Sequence, residues 1–182
     1  MNTEDELWNL FEYRRINRGF VVFAIVIRTD AEENDELNTN ALGTIGYLNI
    51  DPQHRTLEIG AVLFSRALQR TAAATEAYYL LLRNVCETTD AGDGLPYRRV
   101  AWRCNHLNTA SRRAAERLGF VFEGTTRNHM IAKGQSRDTD VLSMTQEEWP
   151  GVKTALQAWL DESNFDAHGK QIRSLEEIKI GC

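Results

Sequence analysis

The stretch that decides the fold is residues 57–85, LEIGAVLFSRALQRTAAATEAYYLLLRNV, where an apolar run precedes a long helical pattern. Residues 57–64 read as a buried strand, and residues 71–88 predict a helix. A helix N-terminus presents unpaired backbone N–H groups and the positive end of the helix dipole, so it can bind an anion. The first turn carries only Thr and Ala side chains, which lets a large anion approach the backbone. The junction therefore predicts an anion site whose natural ligand is a pyrophosphate-bearing cofactor.

The predicted contacts with this anion run from the end of the strand into the helix. The residues expected to hold it are Gln69, Arg70, Thr71, Ala72, Ala73, Ala74 and Thr75. Arg66 and Arg70 are the candidate counter-charges. The alternative is an ordinary Ala-rich helix in which Ser65 or Thr71 serves only near its cap.

A second block, residues 100–124, narrows the interpretation. It reads as a strand (VAWRC), a polar turn (NHLNTAS), a short helix and a further strand that begins at Phe120. Gly119 suits the position just after a helix at residues 109–118, because glycine adopts a positive φ without strain.

The two blocks together resemble the GNAT superfamily of N-acetyltransferases, and more narrowly the branch that acetylates ribosomal-protein N-termini. In that family the pattern Q/R-x-x-G-x-G/A opens the helix that holds the coenzyme A pyrophosphate. Residues 69–74, QRTAAA, match it with Ala72 and Ala74 at the two glycine-type positions. Ala74 is ordinary there, whereas Ala72 departs from the pattern. Asn108 and Ser111 match the family's N-x-x-S.

The resemblance implies an α/β fold of the α+β kind, a mixed and mostly antiparallel central sheet with helices on both faces. It implies that strands 57–64 and 98–104 are parallel and splay apart, and that acetyl-CoA enters between them as the cosubstrate. The family has a further strand and helix before the segment equivalent to residues 3–19, and this chain starts too late to supply both. Two alternatives follow: the chain is a truncated form, or another element or a partner subunit, as in a homodimer, covers the exposed sheet edge.

The hydrophobic pattern predicts the order of the elements. Helices are predicted at residues 3–19, 71–88, 109–118 and 147–163, and strands at residues 20–28, 41–50, 57–64, 98–104, 120–131 and 137–144. A chain of 182 residues can bury a substantial core. Residues 1–182 are therefore predicted to form one acetyltransferase domain, in which residues 147–182 are a C-terminal helix and tail.

Acetyl transfer from a thioester to an amine requires loss of an ammonium proton, a donor to the developing oxyanion and a proton for the leaving thiolate. Glu58 is the candidate base, acting through water, because burial between Leu57 and Ile59 would raise the pKa of its carboxyl group. The alternative role for Glu58 is an ion pair with Arg55 or Arg103 that only stabilises the strand end.

The other two requirements are assigned to backbone and hydroxyl groups. A strand amide at Val62 or Leu63 is the candidate donor to the thioester carbonyl. Ser111 is the candidate acid toward the thiolate, and Asn108 is expected to bond the pantetheine amides, as the family's N-x-x-S implies. Helix capping is the alternative for both residues. His129 lies on a hairpin that borders the acceptor site in similar enzymes, or it only forms cross-strand contacts.

Composition argues against several other classes of protein. The formal net charge of −5 argues against a nucleic-acid-binding face, and no run reaches the ~18 apolar residues that span a bilayer. The start of the chain, MNTEDELW, lacks the features of a secretory signal, so a cytoplasmic location is expected. The three cysteines and four histidines show no metal-ligand spacing, so we expect no metal site.

The sequence thus predicts an enzyme, an acetyl-CoA-dependent N-acetyltransferase that acts on a primary amine by direct attack. The alternative is a non-catalytic acyl-CoA-binding or scaffolding protein on the same fold, because a fold does not fix a function. A protein N-terminus, an antibiotic, a polyamine and an amino acid all stay open as the acceptor.

Overall fold

A computed structural model of the chain describes residues 19–26, 41–87 and 96–180. The helix predicted for residues 3–19 lies outside them apart from its last residue. The described strands are β1 (Val21–Ile25), β2 (Gly43–Asp51), β3 (Thr56–Phe64), β4 (Arg99–Asn105), β5 (Val121–Ala132) and β6 (Gln135–Thr145). The described α-helices are α1 (Ala72–Cys86), α2 (Thr109–Leu118), α3 (Trp149–Leu160) and α4 (Leu175–Ile180), with a 3-10 turn at Glu162–Asn164.

The strands form one sheet in the order β1-β2-β3-β4-β6-β5. β3 and β4 run parallel, and the other neighbouring pairs are antiparallel. A parallel pair needs a long crossover connection, and α1 supplies it. The prediction of a mixed, mostly antiparallel sheet is confirmed, and so is the parallel pairing of the two strands on either side of α1.

β3 and β4 separate soon after they pair. The last residue pair between them is Glu58 with Ala101. Beyond it, β3 stays paired with β2 up to Phe64, and β4 stays paired with β6 up to Asn105. The two parallel strands therefore diverge, as predicted, and leave an open wedge with Glu58 at its vertex.

A bulge in β3 follows this vertex. The register between β2 and β3 slips by one residue between the Gly46–Gly60 and Thr44–Leu63 pairs. Ala61, within the slipped segment, has a φ of 53°, and its carbonyl accepts a hydrogen bond of 2.9 Å from Thr44 Oγ1. Because a bulge redirects the backbone, it changes the strand's course where the predicted amide donors lie.

One face of the sheet carries the core, to which all four helices contribute. Val100, Trp102 and Leu142 are buried on this face. The helices add Tyr78 and Leu82 from α1, Leu118 from α2, Leu156 from α3 and Ile178 from α4. Successive side chains of a strand point to opposite faces. Glu58, which lies between the core residues Leu57 and Ile59, therefore faces the other side of the sheet.

The C-terminal helix is shorter than predicted. Residues 147–163 were expected to be helical, but α3 ends at Leu160. The carboxylate of Asp161 accepts a hydrogen bond of 3.0 Å from the Ser163 amide, so the chain turns into a 3-10 segment there. Short acidic side chains offer the backbone this alternative to a helix. The prediction also missed α4.

Candidate functional site

The start of α1 presents free backbone amides. Thr71 is the N-cap, and its Oγ1 accepts a hydrogen bond of 3.2 Å from the Ala74 amide. The amides of Arg70, Ala72 and Ala73 have no hydrogen-bond partner among the described residues. Three donors at the positive end of a helix can bind an anion, as the sequence predicted.

At the junction between β3 and α1, the residue with an unusual backbone conformation is Arg70. Arg70 has a φ of 64°, in the left-handed region, whereas Ala72 begins the regular helix. The departure of Ala72 from the family's glycine pattern therefore causes no backbone strain. Its effect is limited to one methyl group beside the anion site.

A cleft of about 770 Å³ lies between the start of α1 and one side of α2. Predicted anion-site residues that line it are Gln69, Arg70, Thr71, Ala72, Ala74 and Thr75. Ala110 and Ala114 of α2 also line it. The remaining predicted contacts, Ala73, Val62, Leu63, Asn108 and Ser111, are not in the cleft lining. They lie at the start of α1, on β3 beyond the wedge vertex, and at the start of α2.

The cleft is rich in positive charge. Arg70, Arg117 and Lys170 line it. None of the three has a carboxylate partner within 4 Å among residues 19–26, 41–87 and 96–180. Free amides and unpaired cations are the donors that a diphosphate requires, and small side chains let it approach the backbone. These residues therefore fit the pyrophosphate of coenzyme A.

Glu58 lies in a buried polar cluster on the opposite face of the sheet. The residue is 8% exposed, and its Oε2 accepts a hydrogen bond of 2.9 Å from Asn49 Nδ2. Arg103 Nη1 is 3.4 Å from the same oxygen. Burial raises the pKa of the Glu58 carboxyl group, and Arg103, Asn49 and His129 partly offset that rise. The proposed base thus has the raised pKa expected of it, and it also forms the ion pair with Arg103 given as the alternative.

Two further residues extend this cluster toward β5 and β6. His129 Nδ1 is 2.9 Å from Thr139 Oγ1, and Thr139 is buried. Ala101 pairs with Glu58, and alternate residues of β4 share its face, so Arg103 and Asn105 lie on the face of Glu58. Thr139 pairs with Asn105 and therefore lies on the same face. The sequence analysis missed Asn49. The available signal was its position just before a turn, because Asn tolerates the positive φ of 50° that it has there.

Asn108 and Ser111 make different contacts at the start of α2. Asn108 is the N-cap, and its Oδ1 accepts a hydrogen bond of 3.1 Å from the Ser111 amide. The hydroxyl of Ser111 instead faces the core, where it accepts a hydrogen bond of 3.0 Å from Trp102 Nε1. Burial raises the pKa of the Cys104 thiol, and a hydrogen bond with Ser111 lowers it. The capping alternative therefore holds for Asn108, and Ser111 also supports the core.

The described residues offer neither a metal site nor a membrane-spanning helix. No group of three or more His, Cys, Asp or Glu side chains in residues 19–26, 41–87 and 96–180 is arranged to hold a metal ion. Among the helices that the structure describes, none is long and apolar enough to cross a membrane.

Comparisons with known proteins agree with this geometry. The model of the acetyltransferase (GNAT) domain matches residues 1–121. YdaF of Bacillus subtilis (strain 168), provisionally named a ribosomal N-acetyltransferase, is 31% identical over 111 residues, which are 61% of this chain and 57% of YdaF. The crystal structure of a GCN5-related N-acetyltransferase from Brucella melitensis is 36% identical with a TM-score of 0.81, over 98% of this chain and 75% of that one. The crystal structure of a GNAT-family protein from Chromobacterium violaceum ATCC 12472 is 39% identical with a TM-score of 0.69, over 82% of this chain and 68% of that one.

The family model covers 121 of the 182 residues, and the chain belongs to the GNAT family of acetyltransferases. The resemblance predicted from the two sequence blocks is thereby confirmed, including its similarity to a ribosomal N-acetyltransferase-like protein. The match spans less than two thirds of YdaF.

Proposed function

We propose that this protein is an N-acetyltransferase that moves the acetyl group of acetyl-CoA to a primary amine by direct attack. The observation that carries the proposal is the wedge between β3 and β4. The buried carboxylate of Glu58 lies at its vertex, and Phe64, at the far end of β3, lines the cleft beside the free amides of α1. A cofactor held at α1 can reach toward Glu58 only through such an opening.

Each chemical requirement has a group in this chain. Acetyl-CoA, when bound, supplies an acetyl group activated as a thioester. The Glu58 carboxylate accepts the ammonium proton of the acceptor, directly or through water. An amide at Val62 or Leu63 donates to the carbonyl oxygen. As the C–N bond forms and the C–S bond breaks, Ser111 Oγ passes a proton to the departing sulfur and regains one from solvent. The raised pKa of Glu58 suits a base, because efficient bases have a pKa near the working pH.

The first prediction is that coenzyme A binds and stabilises the fold. Only the folded chain brings the free amides of Arg70, Ala72 and Ala73 together around one ligand, so a ligand bound there favours the native state. At a concentration of ~100 times Kd, the free energy of unfolding should rise by roughly 2.7 kcal/mol. Thermal melting with and without coenzyme A measures this, with adenosine as the control that lacks phosphate. An unchanged melting temperature at millimolar coenzyme A would refute the cofactor assignment.

Turnover separates the enzyme from the non-catalytic alternative. Release of free thiol from acetyl-CoA is measured with a panel of acceptors: an N-terminal peptide, a polyamine, an amino acid and an aminoglycoside. Thiol release that depends on one acceptor class identifies the substrate. Tight coenzyme A binding without acceptor-dependent release favours an acyl-CoA-binding protein.

A second prediction concerns Ser111→Ala. This change removes the acceptor of the buried Trp102 indole N–H, so the free energy of unfolding should fall by about 1–3 kcal/mol. If Ser111 also serves the leaving sulfur, kcat per folded molecule falls as well. Melting and kcat are measured together, with Ser111→Thr as the control that keeps a hydroxyl. Loss of stability with an unchanged kcat would remove Ser111 from the chemistry.

Val21, Phe23 and Val26 are exposed apolar side chains at the β1 edge of the sheet. They suit the proposed homodimer, which light scattering of the purified protein tests. A single domain over residues 1–182, a cytoplasmic location and the absence of nucleic-acid binding stay predictions.

A further inference from the structure

A short hairpin at residues 165–171 contributes Phe165, Gly169, Lys170 and Gln171 to the lining of the cleft. Phe165 and Gln171 form an isolated antiparallel bridge, and Gly169, with a φ of 73°, turns the chain between them. The Asp166 carboxylate accepts hydrogen bonds of 2.9 Å from the amides of His168 and Lys170. These contacts fix the turn that places Lys170 at the cleft.

The hairpin is anchored to the rest of the fold. The buried side chain of Asn164 donates 3.0 Å and 3.2 Å hydrogen bonds to the carbonyls of Trp159 and Arg173. Trp159 Nε1 donates a hydrogen bond of 3.0 Å to Gln171 Oε1, and the rings of Trp159 and Phe165 meet edge to face with their centroids 5.4 Å apart. The hairpin is therefore an integral wall of the cleft.

Arg117 meets this wall as a half-buried cation that has no carboxylate within 4 Å in the part of the chain that the structure describes. Its guanidinium lies 4.8 Å from the centroid of the Trp159 ring, and its Nη1 donates a hydrogen bond of 3.2 Å to Thr75 Oγ1. Burial lowers the pKa of Arg117, and Glu176 raises it from beyond ion-pair distance. Burying a charge is costly unless an anion pairs with it. The cleft beside Arg117 is where such an anion can enter.

The cleft thus has two centres of positive charge. The first is the start of α1 with Arg70, and the second is Arg117 with Lys170. Thr75, the partner of Arg117, lies three residues beyond Ala72, which corresponds to an axial rise of about 4.5 Å. Two separated cationic centres fit a ligand with two separated phosphate groups.

We propose that Arg117 and Lys170 bind the phosphate on the adenosine ribose of coenzyme A, so that the hairpin selects the 3′-phosphorylated cofactor. The inference rests on the proposed function, because it assigns the second phosphate of the same cofactor. The pyrophosphate goes to the α1 amides, and the ribose phosphate goes to the hairpin and α2. Both cations form charge-assisted hydrogen bonds to it.

The test is equilibrium binding of coenzyme A and of 3′-dephospho-coenzyme A, measured by calorimetry. We expect the wild type to bind coenzyme A at least about tenfold more tightly than 3′-dephospho-coenzyme A, because the extra phosphate forms strong charge-assisted hydrogen bonds. Lys170→Gln and Arg117→Gln should weaken coenzyme A by about tenfold each and leave dephospho-coenzyme A within about twofold. Lys170 is exposed, so its variant tests the site without disturbing the core. Arg113→Gln, on an exposed part of α2 outside the cleft lining, is the matched control.

The contrary outcomes are distinct. Equal loss for both ligands would place the two cations at the pyrophosphate and overturn the inference, while the proposed function stands. Equal binding of both ligands by the wild type would also overturn it. If the wild type binds neither ligand at millimolar concentration, the proposed function itself has failed.

Discussion

Glu58→Gln is expected to lower kcat by about 10²–10⁴-fold, the usual contribution of a general base. Gln is close in size, and its amide oxygen can still accept the hydrogen bond from Asn49, but it cannot accept a proton from the acceptor. Coenzyme A affinity should change little, because Glu58 is not in the lining of the cleft that we propose holds the cofactor. Steady-state kinetics with saturating acetyl-CoA and a calorimetric Kd for coenzyme A measure the two effects.

The pH profile gives a second readout. Burial raises the pKa of Glu58, so the wild-type rate should increase with pH as this carboxyl group ionises. This increase of the rate with pH should disappear in Glu58→Gln. Glu123→Gln is the matched control, since Glu123 is a partly exposed carboxylate that pairs with Arg99 at 2.6 Å. A Glu58→Gln variant that keeps the wild-type rate from about pH 6 to 9 would make Glu58 structural.

The stability of Glu58→Gln should not fall with its activity. Because the pKa of Glu58 is raised in the folded chain, the folded state binds this proton more tightly than the unfolded state does. The wild type therefore loses stability as the pH rises through the folded pKa of Glu58. Gln carries no charge to desolvate, so Glu58→Gln should melt no lower than the wild type above that pKa.

Local patterns were enough to predict most elements. The bounds of α1, α2 and the strands from β2 to β6 agree with the prediction within two residues. Helix starts are local features, because the Thr71 cap and the Ala-rich first turn lie next to each other in the chain. The point where β3 and β4 separate depends on pairing between distant segments, so only the family resemblance predicted it.

The candidate site was predictable where one segment builds it. The proposed anion site at α1 uses consecutive residues, and most of those predicted line the cleft. Asn49 reaches Glu58 from a neighbouring strand, and the hairpin at residues 165–171 reaches the cleft from a distant part of the chain. Neither contact leaves a periodic signal in the sequence, because side-chain proximity across the fold is set by tertiary packing.

Ala72→Glu is expected to weaken coenzyme A binding by at least about 100-fold while leaving the fold intact. Two charges 4 Å apart near a protein surface interact by about 4 kcal/mol, so a carboxylate beside the pyrophosphate strongly opposes it. The same carboxylate is favourable for the empty helix, because acidic residues in a first turn stabilise it by about 0.3–1 kcal/mol. The first turn of α1 carries no acidic residue, which leaves its dipole available to a ligand. Calorimetric binding and thermal melting of the free protein measure the two effects.

Position 72 makes a sharper test than position 74. Ala74 is 7% exposed, so Glu there would bury a charge in the core and could reduce binding simply by unfolding the chain. Ala72 is partly exposed and lines the cleft, and its methyl group also packs against the core, so melting of the free variant shows directly whether the fold is intact. Ala72→Gln is the matched control, with the same length and no charge, and it should lose far less affinity than Ala72→Glu. Equal losses in the two variants would mean that steric bulk, and not charge, decides binding. Full affinity in Ala72→Glu would mean that the cofactor phosphates do not bind at the start of α1.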